Sequence, residues 1–179
     1  MVYLSKMRIF MQTTRSYAET PRKEEKMNKI IVMVGAPGSG KSTFVEKYNR
    51  SHPHVSVLSS DALRAVYGRD ENDQSVSGKV FQYMEAEADS LVRNGNTVLI
   101  DATNMHRKAR KPWVELAKKY GVVLEAYVFI VDKDILIERN KKRGAEGGRD
   151  VPADVIERML NNYVTPSREE GFDIVHFVK

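Results

Sequence analysis

The sequence predicts an α/β fold in which a parallel sheet of about five strands is flanked by helices on both faces. Three observations point to it. Ile30 to Val34 is a continuous apolar run of strand length, the pattern of a strand buried on both sides. A glycine-rich stretch, Gly35 to Gly40, follows at once and opens a helical pattern at Lys41. Strand-length apolar runs and amphipathic stretches then alternate to the end of the chain, as they do when right-handed helical crossovers join parallel strands.

The elements follow in order. Lys41 to Asn49 reads as a helix and Val55-Ser56-Val57-Leu58 as the second strand. Val76, Val80, Met84, Ala88 and Leu91 recur at helical spacing, which lays one apolar stripe along a long helix. Asn94-Gly95-Asn96 breaks that helix, and Thr97 to Ile100 forms a third strand ending at Asp101. Trp113, Leu116 and Ala117 mark the next helix, closed by Gly121. A fourth strand lies within Val122 to Val131, and Ile135 to Lys142 reads as a short helix. Val151-Pro152 opens another helix, proline being tolerated in a first turn, and Phe172 to Val178 is the last strand.

A chain of 179 residues is expected to form one domain, here 27–179, preceded by an amino-terminal extension, 1–26. The extension has no glycine and no acidic residue before Glu19. Its apolar groups are too short for a secretory signal, while its composition is compatible with a mitochondrial transit peptide. The plainer expectation is an over-extended reading frame. Met27 stands just before the first strand, and Lys23-Glu24-Glu25 can be encoded by a purine-rich stretch resembling a ribosome-binding site. The chain has no cysteine, which excludes a disulfide scaffold, a thiolate zinc site and a cysteine nucleophile, and fits a reducing, cytoplasmic compartment. No apolar run approaches the roughly 20 residues that span a membrane. The 29 Lys and Arg residues against 24 Asp and Glu give a net charge of +5, which favours a polyanionic partner or simply keeps the protein soluble. His52, His54, His106 and His176 have no zinc-ligand spacing. The sequence leaves the oligomeric state open.

The chemistry begins at Gly35-Ala36-Pro37-Gly38-Ser39-Gly40-Lys41-Ser42, with Thr43 next, which matches the Walker A pattern between a buried strand and a helix. Its glycines let successive backbone N–H groups converge on phosphate oxygens, and the helix N-terminus adds unpaired donors and partial positive charge. Lys41 is placed for the β- and γ-phosphates of ATP and the Ser42 hydroxyl for Mg²⁺. Asp61 and Arg64, in Ser59-Ser60-Asp61-Ala62-Leu63-Arg64, lie at the carboxyl end of the second strand, where ligands of open α/β sheets bind. A carboxylate there can accept the proton of an attacking hydroxyl while the guanidinium grips a phosphate; otherwise Asp61 caps the helix.

Asp101, ending the third strand, can order Mg²⁺ through water or bond to the loop. Arg139 and Arg143 share a helical face ahead of Gly144, Gly147 and Gly148, which read as a flexible lid. A cation carried by such a lid neutralises charge on a transferring phosphoryl group, whereas a basic helix end also complements the helix dipole. Arg139 reads as a contact to the adenine side or the β-phosphate. Thr103 and Asn104 point toward the acceptor path. His106 to Lys111 starts the next helix, with Arg107 and Arg110 as candidates for strand-backbone contacts or as part of a solvated charge run.

With the loop, SSDALR, DENDQ (Asp70 to Gln74), IDATN (Ile100 to Asn104) and RNKKRG (Arg139 to Gly144), the chain resembles the 5′-hydroxyl polynucleotide kinase module of phage and bacterial polynucleotide kinase–phosphatases. The resemblance runs from about Met27 to the end, through RDVPADVIERM (Arg149 to Met159) and EEGFDIVHFV (Glu169 to Val178). Related kinases of tRNA-linked serine share the later segments. The resemblance implies a P-loop kinase fold with a glycine-rich lid, ATP and Mg²⁺ as cofactors, and a 5′-OH RNA or DNA strand as substrate. It implies Asp61 as general base, Arg64 on the acceptor's 3′-phosphate, and Arg143 as the lid arginine. Asp132-Lys133-Asp134 loosely resembles the D-x-D motif of the phosphatase half, yet it stands at a strand-to-helix junction inside the kinase domain, where either aspartate is a natural cap. Phosphorylation is therefore expected without the 3′-phosphatase reaction.

Overall fold

The computed structural model describes residues 28–70 and 72–178; the expectations for residues 1–26 lie outside them. Five strands, β1 (Lys29–Val34), β2 (Ser56–Ser59), β3 (Val98–Asp101), β4 (Val123–Phe129) and β5 (Ile174–Val178), form one sheet in the order β2-β3-β1-β4-β5. Every pairing is parallel. β1 sits at the centre, and Ile30 to Val34 are fully buried, which is why the strand is continuously apolar after Lys29 rather than alternating.

Among the described residues six α-helices cover the sheet: α1 (Lys41–Ser51), α2 (Ser60–Tyr67), α3 (Ser77–Arg93), α4 (Arg107–Tyr120), α5 (Lys133–Ala145) and α6 (Ala153–Asn161). On one face Ile30, Val32, Ile100, Leu124 and Ala126 pack against Val80, Met84, Ala88 and Val92 of α3 and Trp113, Val114 and Ala117 of α4. The expected α3 stripe is present, with Val92 taking the deepest place at its end and Leu91 only partly buried. On the other face Ile31, Met33 and Leu99 meet Val45, Phe44 and Tyr48 of α1. A third cluster joins Leu136 of α5, Ile156 of α6 and Val151 to Ala36 and Met105, so α5 and α6 close over the segments that leave β1 and β3.

Two elements differ from expectation. α5 runs on through Gly144 to Ala145, and the glycines that read as a flexible lid end it in a defined turn. Gly148 N donates to Arg143 O (3.0 Å) and Gly147 N to Gly144 O (3.1 Å), with Gly147 at φ 82°, the left-handed conformation of a helix C′ glycine. β5 begins at Ile174, because Phe172 turns into the core and the Asp173 carboxylate accepts from Leu124 N (2.8 Å), anchoring the start of the edge strand. No helix among the described residues is long and apolar enough to cross a membrane.

Candidate active site

The carboxyl ends of β1, β2 and β3 open onto one cleft of about 1700 Å³. Gly35 follows β1, Asp61 lies two residues past β2, and Asp101 ends β3, so a parallel sheet brings three distant segments to one edge. Ser59 and Asp101 are paired in register across β2 and β3.

The donor side is the loop from Gly35 to Gly40 and the first turn of α1. Gly40 is the N-cap of α1 at φ 96° and contributes no side-chain cap, so the first amides of the helix keep their hydrogens for an anion. Gly38, at φ 81°, leaves no room for a side chain: a Cβ would come within 2.7 Å of Asn140 Nδ2. That asparagine docks α5 onto the loop, its Nδ2 donating to Pro37 O (2.9 Å) and Leu136 O (2.8 Å). Arg139 NH1 donates to Gly38 O at 3.2 Å from the outer side of the same loop.

Lys41 is buried, and its Nζ donates to the carbonyls of Gly35 (2.8 Å) and Ala36 (2.9 Å). Burial lowers its pKa to about 8; Asp101 and Asp61 pull it up, while Arg149 and Arg143 push it further down. The same burial raises the Asp101 carboxyl above its ordinary range, against the Lys41 charge and a hydrogen bond with Ser59, and with Asp61 pushing it up. Ser42 is exposed in the first turn of α1 and lines the cleft with Thr43 and Asp101.

The wall of the cleft facing the loop is built around Asp61. Ser59, not Asp61, is the N-cap of α2, its Oγ accepting from Ala62 N at 3.5 Å, so the capping alternative for the aspartate falls away. The Asp61 carboxylate instead takes two guanidinium donors on its Oδ1: NH1 of Arg64, and NH1 of Arg149 at 2.5 Å. Arg64 is buried, which lowers its pKa, and its Nε reaches Ser77 Oγ at 3.5 Å. Asp73 shapes the wall beyond, accepting from Ser75 N (3.0 Å) and Arg69 N (3.1 Å). These bonds hold its carboxyl down at about 2, with the Ser75 hydroxyl the largest cause.

Arg143 stands between the two sides. Its NH2 donates to Asn140 Oδ1 (2.7 Å) and its Nε to Arg149 O (2.8 Å), so its position is set by the helix and by the turn that closes it. Lys41, Asp61, Arg64, Asp101, Arg139 and Arg143 all line the cleft, as does Arg149, with Asn140 buried behind the loop; motif reading passed over the last two. Their signal was present: both flank the lid glycines, inside RNKKRG and at the head of RDVPADV.

Two expectations are corrected. Arg110 is fully buried, donating to both Glu170 oxygens (2.8 and 2.6 Å) and to Asn104 O (2.9 Å), so it is a structural cation and cannot touch a strand backbone. Asn104 is also buried, at φ 47°, with Nδ2 on Met33 O (2.9 Å) and Oδ1 accepting from Trp113 Nε1 at 3.4 Å. It pins β1 to the head of α4 rather than facing the acceptor path. Thr103 and Lys108 line the cleft, and Arg107 remains largely exposed. Asp132 is the N-cap position of α5 but makes no side-chain cap bond, and no cluster of three acidic or histidine side chains fit for a metal occurs among the described residues.

The AAA domain family profile matches residues 30–166. The chain is 30% identical over 156 residues to the Arabidopsis thaliana protein named transcription factor bHLH140, a match covering 83% of this chain and 16% of that one. It is 22% identical over 163 residues to the bifunctional polynucleotide phosphatase/kinase of Schizosaccharomyces pombe, covering 87% of this chain and 35% of that one. A chain of the solved Pnkp1/Rnl/Hen1 RNA repair complex superposes with a TM-score of 0.68 at 27% identity, over 79% of this chain and 45% of its own length. The chain therefore spans well under half the length of both relatives, and less than half of the superposed chain. The architecture is that of the P-loop kinases, a nucleotide-binding phosphotransferase fold.

Proposed function

The chain belongs to the AAA domain family, and on that premise we propose that it is an ATP-dependent polynucleotide kinase that phosphorylates the 5′-hydroxyl ends of RNA or DNA. The observation that carries the reading is the meeting, in one cleft, of a phosphate-binding loop and a carboxylate flanked by Arg64 and Arg149. The likeness to a polynucleotide phosphatase/kinase and to a chain of an RNA repair complex supports the acceptor class. The cleft of about 1700 Å³ spans both the phosphate loop and the Asp61 corner, so donor and acceptor share one opening.

The loop from Gly35 to Thr43 would hold the triphosphate through backbone amides, with Lys41 leaving the Gly35 and Ala36 carbonyls for phosphate oxygens. Ser42 and Asp101 offer one hydroxyl and one carboxylate, a set that suits Mg²⁺, which keeps its waters and neutralises charge on the phosphates. Arg139 contacts the adenine side or the β-phosphate. Asp61 takes the proton of the 5′-OH, Arg64 holds the phosphate on the acceptor's 3′ side, and Arg143 neutralises the phosphoryl group in flight. Transfer is in line, giving ADP and a 5′-phosphorylated end without a covalent enzyme intermediate.

Labelled ATP offered with 5′-OH oligonucleotides, nucleoside 3′-phosphates, plain nucleosides and small metabolites tests the reading. Label should pass to the oligonucleotides and nucleoside 3′-phosphates, and poorly to plain nucleosides. Preferential labelling of a metabolite would replace it with a small-molecule kinase. Release of free phosphate alone, at a rate that Asp61→Ala leaves intact, would replace it with an ATPase.

A further inference from the structure

We propose that Arg149 is a positioning residue for the reaction: it fixes the Asp61 carboxylate by one oxygen and ties it to the donor loop. This rests on reading Asp61 as the base. Arg149 arrives from 88 positions along the chain, and its side chain is only 11% exposed. A guanidinium taken so far out of water needs a specific partner, and its partner is the Asp61 Oδ1 at 2.5 Å. Arg64 NH1 ends on the same Oδ1. Among the described residues, the recorded bonds to Asp61 therefore engage one oxygen, leaving Oδ2 for a hydroxyl in the cleft that Asp61 lines.

The bonds continue in both directions. Arg149 O accepts from Arg143 Nε, Arg143 NH2 donates to Asn140 Oδ1, and Asn140 Nδ2 donates to Pro37 O in the phosphate loop. From Asp61 the chain runs through Arg64 to Ser77 at the head of α3, whose Oγ donates to Gln74 Oε1 (3.1 Å). An unbroken line of hydrogen bonds thus links the donor loop to the acceptor wall, with Arg149 as the joint between them. A base works only when its lone pair is aimed at the proton within about 2.6–3.2 Å. A carboxylate held on one oxygen by two guanidinium groups cannot rotate away from that aim.

The test measures steady-state transfer from ATP to a 5′-OH oligonucleotide by Arg149→Ala, Arg149→Lys, Asp61→Ala and the Asp61→Ala/Arg149→Ala double variant. Arg149→Ala should lower kcat by about 10- to 100-fold with both KM values within about threefold of wild type. Arg149→Lys should recover part of the loss, since an ammonium keeps the charge but not the planar fork. The double variant should transfer no more slowly than Asp61→Ala, because a residue acting through Asp61 has nothing left to position. Thermal midpoint and nucleotide affinity show that each variant is folded. If Arg149→Ala does not fold, a lowered kcat with unchanged KM values in Arg149→Lys supports the proposal, and a wild-type kcat overturns it. Normal kcat in a folded Arg149→Ala, or multiplicative losses in the double variant, overturns it while leaving the base assignment standing. Normal transfer by Asp61→Ala overturns both.

Discussion

The donor loop and the acceptor corner of the cleft are built in opposite ways. The donor loop is one uninterrupted stretch, Gly35 to Thr43, whose function rests on backbone amides, left-handed glycines and the start of α1. The proposed acceptor corner is assembled from Asp61 and Arg64 after β2 and Arg149 after α5, and it is held by side chains meeting across the fold. A local device is written in consecutive residues, so a motif exposes it. A device made of long-range ion pairs is written in the topology, and its members look like ordinary surface charges until the sheet brings them together.

That contrast is broken most severely by removing one residue from each side. Lys41→Ala should abolish transfer by weakening nucleotide binding, whereas Asp61→Ala should leave binding near wild type and lower kcat by about 10²- to 10⁴-fold, the usual loss of a positioned base. Nucleotide titration alongside transfer rates separates the two routes. Comparable loss of nucleotide affinity in both variants would mean that donor and acceptor sides are not separable in function.

A second test contrasts two arginines of α4 that read alike in sequence. Arg110 is sealed against Glu170, and breaking such a buried pair costs about 3–5 kcal/mol because the partner charge is stranded. Arg110→Ala should lower the thermal midpoint accordingly, whereas Arg107→Ala, on a largely exposed side chain 4.0 Å from the same glutamate, should leave it nearly unchanged. Equal shifts in the two variants would contradict the burial that distinguishes them.

The acceptor corner alone is probed by Arg64→Ala. Loss of a charged hydrogen bond to a phosphate should cost about 1.5–3 kcal/mol, or roughly one to two decades in kcat/KM for an oligonucleotide or a nucleoside 3′-phosphate. Arg64→Lys should rescue part of it. Wild-type protein using a plain nucleoside as well as its 3′-phosphate would remove Arg64 from acceptor binding.

What was legible in the sequence follows the same division. The strands, the helices and their order could be read because apolar periodicity and glycine punctuation are local signals, and the Walker A loop because its mechanism needs fixed spacing. Arg110 was misread because a cation at the head of a helix looks solvated unless Glu170, 60 positions away, is known to fold onto it. Asn104 was misread because its buried bonds to Met33 and Trp113 depend on strand pairing. Arg149 was passed over for the reason that makes it interesting, its partner being 88 positions distant. The glycines after α5 carry a local signal of another kind: Gly147 uses its left-handed φ to end the helix.

The smallest expected effect sharpens the donor side. Lys41 has a pKa of about 8 in the folded chain against 10.5 for an ordinary lysine, chiefly through burial. Below about pH 8 the ammonium is charged in both folded and unfolded chains, and folding bears the full cost of burying it. As pH rises from about 8 toward 10.5 the folded chain releases the proton before the unfolded chain does, so this group's contribution to stability increases. Nucleotide binding should move in the opposite sense, because phosphate oxygens favour the charged form. Above about pH 8 binding should take up a proton, and affinity should fall by at most about tenfold per pH unit. Calorimetric titration in two buffers of different ionisation enthalpy measures the uptake directly. Proton uptake near zero at about pH 9 in the wild-type protein would show that nucleotide binding does not change the protonation of Lys41, against this expectation.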